Sequence, residues 1–311
     1  MSTAATVPET HGELEGDDAF ETARGAGLGA LLRDSFVRFR YADGFSHSRA
    51  LAYQFALTLI PALIAIVAVG HAVGQRELGE VIAQTFRELA PGPAGDVLTQ
   101  AIEQGEEDDS ETALVLGLIT ALIAGATAMG QIERGANRIY GVERDRPAIR
   151  KYALATLLAA TAGFATIAAL ILVVAGSEIG DAAKDVTGWG NAIDTAWSIG
   201  RWPLGAVLVA TAVTMIFKAS PRRSQPALSW LALGAGLAVV LWFAFTALLA
   251  AYVSLSKDFG DTYGPLAGLI GLLLWTLLSA LALFLGLAVA AQLEAVRAGR
   301  PNPVEPAMIS P

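Results

Sequence analysis

Six stretches of this chain contain no Asp, Glu, Lys or Arg: residues 51–74, 112–130, 152–175, 202–217, 227–252 and 265–293. Their apolar residues are gathered into blocks instead of the single stripe that packs a helix on a soluble core. An α-helix rises 1.5 Å per residue, so about 20 such residues cross a hydrocarbon layer of roughly 30 Å. Five blocks reach or nearly reach that length. The fourth, about 16 residues, spans only by borrowing residues 196–201 or by sitting where the bilayer is thinned or lined by protein. Charged residues make up 16% of the chain, against about 25% in soluble domains. The expected fold class is all-α: a polytopic integral membrane protein with six transmembrane helices.

Basic residues then choose a side. Arg24, Arg33, Arg38, Arg40 and Arg49 precede the first block, and Arg134, Arg138, Arg144, Arg146, Arg150 and Lys151 follow the second. Lys218, Arg222 and Arg223 follow the fourth, and Arg297 and Arg300 follow the last. That is 16 of 21 basic residues, leaving Arg76, Arg87, Lys184, Arg201 and Lys257 for the other side. Connections rich in Lys and Arg stay in the cytoplasm, so both termini are expected there. An even number of crossings agrees with that result. About fifty polar or mixed residues precede the first block, which does not fit a cleaved secretory signal. Residues 1–27 and 301–311 read as disordered cytoplasmic tails flanking a membrane domain over 28–300.

The connection 75–111 is then extracytoplasmic, and it is acidic. Two short amphipathic helices fit inside it, one using Val81, Ile82, Phe86 and Leu89. The other, after a cap at Asp96, uses Val97, Leu98, Ala101 and Ile102. A lid over a cavity and a plain solvated cap are both open readings. On the cytoplasmic side, Leu28, Leu31, Leu32, Ser35, Phe36 and Phe39 share one helical face, with Arg33, Arg38 and Arg40 around the remainder. Such a helix lies in the headgroup region or packs on the protein. Small residues recur at Ala113, Gly117, Ala121 and Gly125, and again at Ala282, Gly286 and Ala290. They predict close helix–helix contact.

Polar groups inside the blocks are the functional candidates, because lipid makes them costly. Gln54 and Thr58 lie one turn apart just before Pro61, which removes a backbone hydrogen bond and leaves a carbonyl near Leu57 to be satisfied otherwise. The proline either shapes packing or lines a substrate path. After the second block, GQIERGANRIYGVERDRPAIRKY continues the helical spacing, placing Glu133, Asn137 and Tyr140 together and Arg134 one turn from Arg138. Two guanidiniums so placed hold a phosphate or anionic headgroup, or serve only as cytoplasmic anchors. Arg201-Trp202-Pro203 opens the fourth block and Tyr263-Gly264-Pro265 the sixth, with each proline expected at a helix's first position. Proline in the first and fourth spans is also the pattern of two inverted three-span halves around a midplane site, and Tyr263 joins the expected path.

Other chemistry lacks its residues. No carboxylate falls within a block, so a buried proton relay has no carrier. His11, His47 and His71 are scattered without metal-ligand spacing, and neither a P-loop nor a Gly-x-Ser-x-Gly motif is present. The acidic run 106–109 reads as a solvated charge cluster. Cysteine is absent, and a formal net charge of −8 argues against a nucleic-acid binder. No cofactor, metal or catalytic residue is expected.

Three stretches together resemble the YihY/BrkB family of bacterial inner-membrane proteins. They are ALAYQFALTLIPALI, GANRIYGVERDRPAIRKYAL, and the C-terminal series KASPRRSQPALSWLALGAGLAVVLW with YVSLSKDFGDTYGPLAGLIGLLLWTLLSALALFLG. The resemblance covers most of residues 35–295 and implies six spans with cytoplasmic termini in the bacterial plasma membrane. Members have been labelled ribonucleases and virulence factors, and a role in transporting lipid or envelope precursors has been suggested. Such proteins end the last span with a Gly-Ala-Glu-Leu-Asn-like stretch. Here it reads Gly286-Leu287-Ala288-Val289-Ala290, without that acid and amide. The expected function is a transporter-like protein for a lipid or amphipathic envelope substrate, with Gln54, Thr58, Pro61 and Tyr263 on the path and Arg134, Asn137 and Arg138 at the headgroup. Its partners would be membrane lipids and envelope proteins, not nucleic acid. The alternative is a non-transporting envelope scaffold acting through the outer loop; ribonuclease activity has no supporting residues.

Overall fold

The computed structural model describes residues 4–10, 14–72, 90, 92–107, 111–174, 190–256 and 266–304. Among these, all regular structure is helical apart from one antiparallel bridge between Ala4 and Val304. Three short helices are α1 (Gly16–Ala26), α2 (Leu28–Tyr41) and α4 (Pro93–Glu107). Six are long: α3 (Gly44–Ala72), α5 (Glu111–Ile139), α6 (Ala148–Val174), α7 (Asn191–Ala219), α8 (Leu228–Leu255) and α9 (Ala267–Arg297). Residues Ile193–Ala219, α8 and α9 are long and apolar enough to cross a membrane.

Each long helix packs on the next in sequence, and α9 returns to α3, so the six form a closed ring. The centre of packing is α9, whose residues 286–295 are continuously buried. Small residues make this possible. A Cβ on Gly234 would stand 2.6 Å from the Gly286 carbonyl oxygen and 2.8 Å from Ala290 Cβ, and one on Gly286 would stand 2.6 Å from Ala238 Cβ. The expected small-residue face of the last span is therefore a close backbone contact with α8. Further along, Trp242 Nε1 donates to Ser279 Oγ at 3.0 Å, and Trp275 Nε1 donates to Thr246 Oγ1 at 3.2 Å. The pairing order runs in opposite senses, so α8 and α9 are antiparallel. On α5, a Cβ at Gly125 would lie 3.3 Å from Ala159 Cβ of α6.

Several sequence expectations shift. The fourth span is not short: α7 begins at Asn191, takes in Arg201, and carries Pro203 inside it instead of at its first position. Pro61 likewise lies within a continuous α3. The second helix of the outer connection starts at Pro93, a favoured first position, so Asp96 sits in its first turn and is not the cap. It packs on α3 and α9, with Ala94 buried against Gly271. Residues 1–27, expected as a tail, include α1 and a segment over 4–10 that is hydrogen-bonded to the bundle. The helix expected over 81–89, Tyr263, and the side chains of 106–109 lie outside the described residues.

At α2, one face packs on the protein. Leu31, Ser35 and Phe39 are buried against the bundle, while Leu28, Leu32 and Phe36 remain exposed. Arg38, expected on the outer side, is instead completely buried.

Candidate functional site

One end of the ring gathers α1, α2, the start of α3, the turns 140–147 and 220–227, the end of α9 and both described chain ends. Ala5 N donates to Pro303 O at 3.0 Å and Val7 N donates to Tyr140 O at 3.1 Å, tying the chain ends together over the bundle. All 16 basic residues assigned above to the terminal side belong to these segments or directly flank them.

The turns are built from charged residues that α5 positions. Helical continuation to Ile139 places Glu133, Asn137 and Tyr140 on one buried face, as the spacing predicts. Glu133 accepts from the Arg146 backbone at 3.1 Å and pairs with its guanidinium at 3.4 Å. Arg146 then donates to the carbonyls of Ala219, Ser220 and Pro221, at 3.1, 2.7 and 2.8 Å. It thus satisfies acceptors that the end of α7 leaves unpaired, where a cation also meets the negative end of the helix dipole. Asn137 donates to Asp145 at 2.9 Å and accepts from the Arg222 backbone at 2.8 Å. Asp145 also holds Lys151 at 3.0 Å and Arg134 at 3.8 Å. Burial by itself raises the Asp145 carboxyl, but the hydrogen bonds from Asn137 and Lys151 outweigh it and hold the group below 3.8.

Deeper in, α2, α5, α9 and the 220–227 turn converge. Arg223 donates to Glu294 at 2.6 Å, with the two side chains 2% and 0% exposed. The Arg223 guanidinium stacks over the Tyr140 ring at 4.7 Å. Arg38 donates to Gln292 Oε1 at 2.8 Å, to Ala5 O at 2.7 Å and to Ile139 O at 3.1 Å. Gln292 in turn donates to Pro301 O at 2.6 Å, and Thr10 donates to Glu294 at 3.0 Å. Desolvation lowers the Arg38 guanidinium from its ordinary value to about 10, leaving it charged at neutral pH. The Tyr140 phenol is pushed upward by burial and then by the Glu294 charge, so it stays neutral.

The sequence candidates separate into groups. Gln54, Thr58 and Pro61 lie half-buried along the α3–α5 seam. Gln54 Oε1 accepts from Thr127 at 3.0 Å, and the Thr58 hydroxyl donates to Gln54 O at 2.7 Å. That bond leaves Thr58 unable to serve the Leu57 carbonyl freed by Pro61. Nearer the end, His47 meets Gln131 at 3.1 Å across the same seam. Arg134 lies two turns beyond Thr127, about 10 Å along α5. It is half-exposed, and Arg138 is exposed beside it. Asn137 is not with them at the surface; it is sealed inside, holding two turns together.

Sequence reading missed Arg38, Arg223, Gln292 and Glu294; its charge-free blocks hold no carboxylate, but the helices run beyond them. Helix α9 runs past the expected end at Leu293, carrying Glu294 fully buried, and α5 carries Glu133. The amide and acid missing at 286–290 are supplied about a turn later by Gln292 and Glu294. Two signals could have found them. Arg38 falls three residues after Ser35 on the buried stripe, and Gln292-x-Glu294 closes an apolar run in which no other residue between Ala267 and Val296 is charged.

An apolar ring of long helices closed at one end by ion pairs defines an all-helical membrane protein. The pattern of the family described as "Virulence factor BrkB" matches residues 35–308, and the chain belongs to that family. It is similar to the "Putative ribonuclease-like protein YfkH" of Bacillus subtilis (strain 168), 28% identical over 257 residues that cover 83% of this chain and 92% of the relative. No solved structure matches it.

Proposed function

We propose that this chain crosses the plasma membrane six times with both ends in the cytoplasm, and that it carries a lipid or other amphipathic envelope substrate across without an energy source of its own. The six long helices have 27 to 31 residues. At 1.5 Å each that is about 40–46 Å, enough to cross a layer of roughly 30 Å. The gathering of 16 of 21 basic residues at the terminal end supports the orientation.

The observation that carries the reading is the polar seam between α3 and α5, where Thr127 donates to Gln54 Oε1 and Thr58 lies one turn on, beside Pro61, inside long apolar helices. Polar groups at such depth are costly in lipid and mark pathways more often than packing. The path runs along Gln54, Thr58 and Pro61 on the α3–α5 seam, toward Arg134 and Arg138 as headgroup contacts. Tyr263 would complete it from the far end.

Purified protein in liposomes carrying fluorescent phospholipids tests this. Headgroup flux above empty vesicles, reduced by substitution at Gln54, is the expected result; several phospholipids showing no flux would contradict it. The second reading is a non-transporting envelope scaffold acting through the connection 75–111. A stable envelope partner lost on deleting 75–111 from an intact bundle would establish it. The relative's name suggests RNA hydrolysis, which a nuclease-free preparation degrading RNA would support.

A further inference from the structure

Residues 4–10 lie strapped across a buried cluster of Arg38, Arg223 and Tyr140. We propose that displacing this strap opens a pocket over the cluster that binds a phosphate-type oxyanion, and that the strap fills that space when no ligand is bound. This goes beyond the transport reading and does not depend on it.

The pocket carries surplus positive charge. Two guanidiniums face one carboxylate, Glu294, and all three side chains are buried. An uncompensated charge at such depth is costly, so a single anionic oxygen group would balance it. It also carries spare donors. Arg38 Nη2 and Arg223 Nη1 are buried without a hydrogen-bond partner among the described residues; the Tyr140 hydroxyl lies beside the Gln225 amide, and Glu294 Oε2 is an unpartnered acceptor in the same cluster. A buried donor left unpaired costs free energy that a ligand oxygen recovers.

The strap imitates such a ligand incompletely. Its carbonyl oxygens accept from the same guanidiniums: Ala5 O from Arg38 Nη1 at 2.7 Å, and Pro8 O from Arg223 Nη2 at 3.1 Å. These oxygens are neutral, so they satisfy two donors and leave the charge. A phosphate oxyanion presents several acceptors in the geometry that guanidinium forks bind bidentately. Other ties of the strap include Val7 N to Tyr140 O, Ala5 N to Pro303 O, Thr6 Oγ1 to Gly141 O at 3.3 Å, Thr10 to Glu294, the Ser224 backbone to Glu9 at 3.3 Å, and the bridge between Ala4 and Val304. Arg38, Tyr140, Arg223 and Glu294 all lie inside the family match at 35–308, whereas the strap precedes it.

The chain has no cysteine, so Val7→Cys introduces a sole thiol at a buried position of the strap. Maleimide labelling of this full-length variant in nonionic detergent reads strap release. Two probes are added separately, inorganic phosphate and a short-chain phosphatidylglycerol, with chloride at equal ionic strength as control. Either probe should speed labelling about tenfold, the change expected if ligand converts a state populated one part in ten into the main one. Acceleration by inorganic phosphate identifies a free-phosphate site. Acceleration by the lipid alone identifies a headgroup site. A rate unchanged by both overturns the proposal. Independently, deleting residues 2–10 should tighten phosphate binding by a similar factor, and adding Tyr140→Phe, which removes only the hydroxyl, should weaken it several-fold. Binding that ignores both changes also overturns it.

Discussion

Two carboxylates hold the charged end together by different means. Glu294 is fully buried and accepts from Arg223 and Thr10. Removing one member of a buried pair strands the other, at a cost of about 3–5 kcal/mol, whereas replacing both with apolar residues is often close to neutral. Glu294→Ala should therefore lower the melting temperature in detergent sharply, and Arg223→Met with Glu294→Leu should lower it less than either single change. Asp145 is half-exposed and works through Asn137 and Lys151, which hold it below its ordinary value. A depressed carboxyl stabilises the fold above its unfolded value and loses that contribution as pH falls through the folded one. Near neutral pH the Asp145 contribution should be fully present and the melting temperature flat with pH, falling below about pH 4 as the carboxyl protonates. Asp145→Asn should remove that part of the acid sensitivity, as pH-resolved thermal melts would show. Residue-scale legibility was mixed. Glu133, Asn137 and Tyr140 were readable because helical spacing alone puts them on one face. Arg38 and Glu294 were not, because their burial is set by partners from distant segments, residues 4–10 and 220–227, that periodicity does not reveal.

Helices were legible where composition is unambiguous and less so at their ends. The apolar blocks anticipated the cores of all six long helices, yet each helix extends beyond its charge-free block on at least one side. Charged residues end a block without ending a helix: α5 continues through Glu133, Arg134 and Arg138, and α7 begins before Arg201. Pro203 misled for a related reason, since proline is tolerated within an apolar helix when neighbours accommodate the freed carbonyl. The small-residue face of the last span was read correctly at Gly286 and Ala290, because packing on α8 fixes the close approach there; on α5 the close contact described is at Gly125. Gly286→Val drives a branched side chain into the Gly234 backbone and Ala238. Overpacking of this kind costs about 1–3 kcal/mol, visible as a lower melting temperature. Gly236, with open space around its Cβ position, should accept alanine without change, which makes it the matched control.

For the molecule as a whole, ring closure and charge asymmetry support each other. Consecutive packing of the long helices, with α9 returning to α3, leaves one end bearing the terminal segments and most of the arginines. The proposed orientation rests on that asymmetry, which would turn the arginine-rich end toward the cytoplasm. It is measurable in a chain without native thiols. Glu103→Cys, exposed on α4, and Arg300→Cys, exposed beyond α9, each provide one reactive site at opposite ends. Intact cells would be treated with a membrane-impermeant maleimide before and after permeabilisation. Labelling at 103 in intact cells, with 300 reached only after permeabilisation, is the outcome required by six crossings with cytoplasmic ends. Labelling of both from outside, or of 300 alone, would contradict it.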